Sequence, residues 1–290
     1  MLAQQILSGL TVGSLYALAA IGLVLIYKTS DLVNFAQGEM AMVTTFVSFT
    51  VINGLGFGYW SAFLLALLFA IFFGVFVERV FMRKVQNAPI ISQIILTLGL
   101  YMLLRGIAGM IWGYDPYNYP VAIEGKPISM GNFLVTANEI FIFAVTLVLM
   151  LFFFFIFRYT TIGLAMRAAS LNKQTSMLMG INVSVIFAIT WAISSVLGGV
   201  AGMLIAPTTF LDPNMMGEVA IKAFAAAVLG GFSSLPGAVV GGILIGLFEN
   251  LMGGYVSAEL KNAFVFLLII LILYVKPTGL FGAKQQIKKV

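Results

Sequence analysis

Long apolar runs constrain this chain more strongly than any other feature of its sequence. The chain is 61% hydrophobic and only 9% charged. A soluble domain cannot bury that much apolar surface, so the lipid bilayer must be the solvent for most of the chain. The runs are continuous rather than alternating in short segments, and they therefore predict membrane helices and not the strands of a barrel.

The runs predict an all-α polytopic membrane protein of about 8–10 transmembrane helices, folded as a single transmembrane domain over residues 1–290. Residues 219–256 are ambiguous, because Ser233, Ser234 and Pro236 interrupt them, and we expect either two short spans or one re-entrant element. The runs lie at about 6–27, 34–52, 60–82, 90–112, 139–157, 184–206, 219–235, 237–256 and 262–275.

Missing residue types exclude several kinds of chemistry. The chain contains no cysteine and no histidine, which rules out disulfides, thiolate chemistry and imidazole-based catalysis or metal binding. Its net charge of +5 comes from basic residues spread over the ends of the apolar runs. Orientation in a membrane explains that distribution, so we expect contact with membrane lipid and not with nucleic acid.

Basic residues alternate with acidic ones along the boundaries of the runs. Cytoplasmic segments of membrane proteins are enriched in Lys and Arg, and this predicts that residues 158–182 and the tail 276–290 are cytoplasmic. Residues 113–138 would form a polar loop on the other side. The boundaries expected to be cytoplasmic carry Lys28, Arg79, Arg83, Lys84, Arg158, Arg167, Lys173, Lys276, Lys284, Lys288 and Lys289.

The basic segment 158–182 is the strongest candidate for contact with a partner. No acidic residue occurs between Glu139 and Asp212, and a moderately amphipathic pattern predicts a short helix along the membrane face that ends near Gly180. Such a helix can dock its apolar face into a groove on a soluble partner. Binding of anionic lipid through its basic residues is the alternative.

Few polar residues lie inside the predicted spans. Glu39 follows Gly38 at the start of the second run, where it either faces the interior of the bundle or sits in a first helical turn at the surface. Arg105 either extends to the outer interface or pairs with a buried acid such as Glu249. Glu218 and Lys222 are spaced for an ion pair along one helix.

A set of short motifs follows a defined order and spacing along the chain. They are Gly9 to Leu18, Asn34 to Glu39, Thr97-Leu98-Gly99, Arg105-Gly106, Trp112 to Pro116, Gly163 with Arg167-Ala168-Ala169, Gly180-Ile181-Asn182, Lys222-Ala223-Phe224, Leu229-Gly230-Gly231, Gly237 with Gly241-Gly242, and Lys276 to Gly282. Together these motifs resemble the permease subunits of bacterial branched-chain amino acid ABC importers, the LivH/LivM family. The resemblance covers nearly the whole chain, and the start is closer to LivH.

The resemblance implies an importer fold and a division of labour in the bacterial cytoplasmic membrane. Two permeases, this chain with a LivM-like subunit or a second copy, would form the pathway. Two cytoplasmic ATPases would bind Mg-ATP and drive it, and a periplasmic or lipid-anchored binding protein would deliver substrate. This chain would hold no cofactor, because it has no P-loop.

The resemblance also implies site residues. The ATPases would be contacted by Arg167, Ala168, Ala169, Gly180, Ile181 and Asn182. The candidate pathway residues come instead from the polar positions inside the predicted spans, and they are Asn34, Gln37, Glu39 and Arg105.

Three alternatives stay open. The cargo of the same architecture could be urea, a short amide or an aromatic acid instead of leucine, isoleucine or valine. A channel or secondary transporter would work without ATPases. A membrane enzyme would need a cluster of catalytic groups, and the acids of this sequence are scattered.

Overall fold

The computed structural model describes residues 2–125, 127–130 and 133–282, which fold mainly into α-helices. A π-helical turn, Glu78–Met82, joins the third helix to the fourth. Lys126 and the part of the predicted tail after residue 282 lie outside the described residues. The helices are Leu2–Ser30 (α1), Gln37–Asn53 (α2), Tyr59–Val77 (α3), Arg83–Val85 (α4), Ile90–Trp112 (α5), Ala137–Tyr159 (α6), Thr161–Leu171 (α7), Lys173–Leu178 (α8), Val183–Thr209 (α9), Met216–Gly230 (α10), Leu235–Tyr255 (α11) and Lys261–Val275 (α12).

Each predicted apolar run is a helix whose ends lie within a few residues of the expected ones. In the described part of the chain, 6 helices are long and apolar enough to cross a membrane: α1, α3 with its continuation to Val85, α5, α6, α9 and α11. Three further runs form shorter helices, α2, α10 and α12, of 17, 15 and 15 residues. The ambiguous residues 219–256 form two separate helices, α10 and α11, joined by a tight turn.

Two helices form the centre of the bundle. Of the most apolar stretch of each helix, 83% is buried in α1 and 72% in α9, against 22% in both α5 and α6. Since lipid can cover an apolar face as well as protein can, the low burial of α5 and α6 fits helices at the perimeter. The sequence pattern alone did not separate these two classes.

Glycines allow α11 to touch α1 and α10, as their spacing predicted. A methyl group added at Gly246 of α11 would overlap the Cα of Gly13 in α1. One added at Gly241 of α11 would meet the carbonyl oxygen of Ala226 in α10. These contacts pack helices of the same chain, because small residues let backbones approach where no hydrophobic effect drives association.

Several basic side chains lie at one end of the bundle. Lys28, in the last turn of α1, lies over the ring of Phe157 in α6 at 4.6 Å, and Lys173 lies over Phe187 in α9 at 5.1 Å. Arg83 donates from Nη2 to the backbone oxygen of Ser184, at 3.2 Å. We call this the basic end.

The chain returns to the same place after α12. The backbone nitrogens of Leu280 and Phe281 donate to the carbonyls of Leu229 and Gly230 at the end of α10. The ring of Tyr27, near the end of α1, contacts that of Phe232, just after α10, at 4.8 Å. The last described residues are therefore packed against the basic end.

The predicted polar loop 113–138 is partly ordered into structure that its sequence did not indicate. Strands Ile128–Met130 (β1) and Phe133–Val135 (β2) form an antiparallel hairpin, and residues 137 and 138 already belong to α6. Tyr119 lies 2.7 Å from the Ser48 hydroxyl of α2, and burial raises the pKa of its phenol to about 12. A β-bridge joins Tyr117 to Leu211. The loop is thus tied to α2 and to the segment before α10.

Candidate functional site

A cavity of about 330 Å³ lies beside the start of α2. Its walls come from α1, α2, α5, α9 and α10 and from the segment before α2. Two of the candidate pathway residues, Asn34 and Gln37, line it together with Gly38. The volume falls at the lower end of the range for small-molecule sites.

The start of α2 is held at the centre of the bundle by α9. Gln37 donates from Nε2 to the backbone oxygen of Ser194 at 2.8 Å, and the Ser194 hydroxyl lies 2.8 Å from both Gln37 Oε1 and the Gly22 carbonyl oxygen. This close approach needs glycine, because a methyl group at Gly22 or Gly198 would lie 2.8 or 2.9 Å from Gln37 Nε2. Gln37 therefore has a structural role as well as lining the cavity.

These contacts place the first turn of α2 deep inside the bundle. Gly22 precedes the last residue of α1, Ser30, by eight residues, which corresponds to about 12 Å along the helix. The chain reverses at Asp31, whose φ is 56°, and runs back along α1 before α2 begins. Aspartate is one of the few residue types that adopt this left-handed conformation readily.

The start of α10 lies next to the start of α2. A methyl group at Gly38 would lie 3.0 Å from Ala220 Cβ and 3.4 Å from the Met216 carbonyl oxygen. The chain before α10 also reverses at a residue with positive φ, Phe210, at 64°. Two helices therefore begin inside the bundle at the same cavity. Interrupted helices of this kind bind substrates in several membrane transporters.

Glu39 faces the interior of the bundle. It is 1% exposed, so the alternative of a surface position is wrong. Its Oε2 is buried and has no hydrogen-bond partner among the described residues, and the charge that acts on the carboxylate is that of Arg105. A buried polar group without a partner is rare in native structures and indicates either strain or a function.

Arg105 does not pair with Glu249, so that alternative is wrong. It donates from Nη1 to the Tyr101 hydroxyl at 2.6 Å and from Nε to the Pro213 carbonyl oxygen at 3.3 Å. Arg105 is half-buried beside the first turn of α10. It therefore lies one helical turn from Tyr101, which lines the cavity, and does not simply extend to the interface.

Glu249 instead pairs with Lys222. Lys222 Nζ lies 2.6 Å from Glu249 Oε1 and 3.4 Å from Glu218 Oε2, so the predicted helical pair exists but is the longer contact. Tyr16 donates to Glu249 Oε2 at 2.9 Å. This network was missed because its members come from α1, α10 and α11, and no local pattern relates them.

The segment 158–182 forms α7 and α8 at the basic end. Each helix has a side-chain cap: Thr160 accepts from the Gly163 nitrogen, and Asn172 accepts from the Thr175 nitrogen. Asn182 caps α9 in the same way. The predicted single helix is thus two helices, which separate at Asn172 because its extended backbone lets its side chain start α8.

Most residues expected to contact an ATPase face inward or hold the segment together. Arg167 donates from Nη1 to the carbonyls of Phe157 and Arg158 at the end of α6. Ala169 is 1% exposed, and Ala168 and Ile181 are half-buried. Gly180, with φ of 84°, ends the segment after α8, and it and Asn182 are exposed.

Apolar side chains protrude from the same segment. Leu171, Leu178 and Met179 are 83, 88 and 78% exposed, and Met177 is also exposed. We call these four residues the apolar tip. The sequence signal is the run Met177-Leu178-Met179 before Gly180, which belongs to the apolar face expected to dock into a partner, but the pattern does not show which of its residues protrude.

An ion pair fixes the chain where the segment leads into α9. Glu78, in the π-helical turn, is 1% exposed and accepts two hydrogen bonds from Arg83, from Nε at 3.1 Å and Nη2 at 2.7 Å. Because Arg83 also binds the Ser184 carbonyl, α3 and α9 are joined next to the segment. The sequence indicated Arg83 only as one of the basic boundary residues, and it did not indicate Glu78.

The described residues contain no group of three His, Cys, Asp or Glu side chains that could hold a metal ion. The chemistry that this site offers is binding and movement: an apolar cavity between interrupted helices, charges beside it, and an exposed tip at the basic end.

Comparison with known proteins gives the family. Residues 5–273 match the family model described as the permease component of branched-chain amino acid transport systems. The LivH permease protein of a high-affinity branched-chain amino acid transport system from Salmonella typhimurium is 35% identical to this chain, with 99% of this chain and 97% of that protein covered.

Two other relatives have names that give different cargoes, branched-chain amino acids for one and fructose for the other. The permease protein BraD of a high-affinity branched-chain amino acid transport system from Pseudomonas aeruginosa is 31% identical, with 99% of this chain and 97% of that protein covered. The fructose import permease FruF of Bifidobacterium longum is 23% identical, with 99% of this chain and 82% of that protein covered.

Proposed function

This chain belongs to the family of branched-chain amino acid transport permeases, and on that premise we propose that it forms the pathway for leucine, isoleucine and valine in an ATP-driven importer. The observation that carries this proposal is the cavity between the starts of α2 and α10. An interrupted helix pair beside buried charges is a site at which a solute can be held halfway across a membrane. The names of the relatives support the cargo.

The proposed orientation puts the basic end in the cytoplasm. The positive-inside rule supports this, since Lys28, Arg83, Arg158 and Lys173 belong to one end of the bundle. The segment 158–182 and the chain from residue 276 onward would then be cytoplasmic. The membrane would be the cytoplasmic membrane of a bacterium.

The proposed partners follow from what the chain lacks. It has no P-loop, so Mg-ATP would bind to two separate ATPases at the cytoplasmic side. A second permease, or a second copy of this chain, would complete the pathway. A periplasmic or lipid-anchored binding protein would deliver substrate at the opposite end.

Coupling would begin at the apolar tip. Leu171, Leu178 and Met179 are too exposed and too apolar to be left in water, and a groove on an ATPase would cover them. Arg167 would carry a movement of α7 into α6, and Arg83 would carry a movement of the start of α9 into α3. This account keeps the predicted segment but transfers the contact from Ala168 and Ala169 to the tip.

Transport would proceed by alternating access. The ATPases would bind one conformation more tightly when they hold ATP, and that difference in affinity is what shifts the equilibrium. Asn34, Gln37, Glu39 and Arg105 would line or border the pathway as α2 and α10 change their relative position.

Reconstitution tests the proposal. Vesicles that contain this permease, its partner permease and the ATPases, with the binding protein outside and ATP inside, should accumulate leucine. Glu39→Gln and Arg105→Gln should each lower uptake without lowering the amount of inserted protein. Uptake of leucine that continues without the ATPases, or without ATP, would favour a channel or secondary transporter and contradict the proposal.

A further inference from the structure

The cavity beside α2 has the chemistry of an amino acid site with two parts, an apolar wall and a charged border. We propose, building on the proposed function, that it binds the aliphatic side chain of a zwitterionic amino acid. This permease would then select its substrate by side-chain size, and selection would not be left to the binding protein alone.

The wall of the cavity is aliphatic and aromatic. Leu23 of α1, Val33, Leu98 of α5, and Ile221 and Phe224 of α10 line it. Burial of the methylene groups of a ligand against such apolar surface favours its binding. A wall of this kind favours a branched aliphatic group over a polar one.

Glycines leave the cavity open at its base. Gly38, Gly198 and Gly217 all line it, and none has a side chain to fill it. At Gly38 and Gly198 an added methyl group would also crowd neighbouring atoms, so these two glycines are needed for helix packing as well. Gly217 meets only Arg105 Nη2, which lies 3.7 Å from the position that a methyl group would take. Bare backbone at Gly217 thus leaves room between the cavity and the guanidinium.

Opposite charges border the cavity at one side. Arg105 binds the hydroxyl of Tyr101, which lines the cavity, through Nη1, and its Nη2 points to the first turn of α10. Glu39 follows the lining residue Gly38, is almost fully buried and has an unpaired carboxylate oxygen among the described residues. The two charges complement the carboxylate and the ammonium group of a free amino acid.

The first turn of α10 strengthens the site for the carboxylate. No side chain caps this helix, and its Gly217 nitrogen donates to the Asn214 carbonyl oxygen at 2.9 Å, so the first turn would attract an anion through the positive end of the helix dipole. The carboxylate would lie between this turn and Arg105, the ammonium group towards Glu39, and the side chain against Leu98 and Ile221.

Substitution of two half-exposed wall residues tests the proposal. Leu98 and Ile221 are 43 and 49% exposed, so Leu98→Ala and Ile221→Ala should be tolerated by the fold. The matched control is Leu103→Ala on the same helix, which is 48% exposed and does not line the cavity. Uptake of valine, leucine and phenylalanine is measured in the complete reconstituted system with the binding protein saturated by each amino acid.

The two enlarging variants should raise the rate for phenylalanine relative to valine by about tenfold, as removal of a few methylene groups from a pocket does. Ile221→Phe, which narrows the cavity, should shift the ratio the other way, and Leu103→Ala should leave it unchanged. Variants that scale all three rates by one factor, or change none, would overturn the proposal. A wild-type system that takes up none of the three would instead overturn the proposed function.

Discussion

Lys222 Nζ lies 2.6 Å from Glu249 Oε1, and the two side chains are only 8 and 5% exposed. The other oxygen of Glu249 accepts from Tyr16, at 2.9 Å. This carboxylate therefore ties α10 to α1, two helices whose residues line the cavity. None of Tyr16, Lys222 and Glu249 lines the cavity, so Glu249 positions cavity walls that it does not touch.

Glu249→Met should destabilise the protein by about 3–5 kcal/mol, because it leaves the Lys222 charge buried with only a long contact to Glu218. The double variant Lys222→Met with Glu249→Met should recover most of that loss, because replacement of a buried pair by apolar groups is often neutral. The free energies of unfolding of the purified variants in detergent measure the loss and its recovery.

Glu218→Gln is the control for this pair, since the Glu218 side chain is 69% exposed and its contact with Lys222 should contribute less than about 1 kcal/mol. If the double variant is no more stable than Glu249→Met, Glu249 does not stabilise the protein through its ion pair with Lys222. If the double variant is stable but transports slowly, the tie between α1 and α10 is needed for movement.

Gly246→Ala should destabilise the bundle by about 1–3 kcal/mol, because the new methyl group would overlap the backbone of Gly13. The free energy of unfolding of the purified protein in detergent measures this change. Gly106→Ala is the matched control on α5, since nothing lies within 4 Å of the added group. It should be neutral or gain up to about 1 kcal/mol, because alanine favours a helix over glycine. Equal losses at both positions would contradict the packing described between α1 and α11.

The helices themselves were predictable because their information is local. Each apolar run gave one helix, and Pro236 with Ser234 marked the start of α11. The depth at which α2 begins was not predictable, because it depends on the contact between Gln37 and Ser194, 157 residues apart. The sequence identified Glu39 as a candidate, but only the packed bundle decides that it is buried.

Arg167→Ala should lower coupled uptake by about tenfold, because it removes charge-assisted hydrogen bonds, each of which contributes roughly 1.5–3 kcal/mol, from the end of α6. Arg158→Ala removes the same charge from a side chain that contacts the rings of Phe154 and Tyr159, so it should have a small effect. Similar losses for the two variants would show that positive charge, and not the hydrogen bonds of Arg167, matters there.

Leu178→Glu should weaken binding of the ATPases by about 2 kcal/mol, or roughly thirtyfold in affinity, because it places a charge where an apolar contact is expected. Binding of the purified ATPases to the permease in detergent measures this. Gln174→Glu adds the same charge to an exposed position of α8 outside the tip and should bind nearly as the wild type does. If lipid and not an ATPase covers the tip, neither variant will change the affinity.

The candidate contact residues show what local patterns could not decide. The segment 158–182 was identified from its charge and its end from Gly180, but its division into two helices at Asn172 was not predicted. Which side of α7 faces outward depends on α6, since Arg167 donates to carbonyl oxygens at the end of α6 and Ala169 is buried. The exposure of Leu178 in α8 is likewise a result of packing that no local pattern gives.

The central claim is that separate ATPases grip the apolar tip and drive this permease. The chain has no cysteine, so the substitution Leu178→Cys introduces its only thiol. A short thiol crosslinker applied to the assembled, transporting complex should join this position to an ATPase subunit. The matched substitution Met110→Cys, at a position 87% exposed in α5 near the opposite end, should give no such product. An active complex in which the thiol of the Leu178→Cys variant never captures an ATPase would contradict the account.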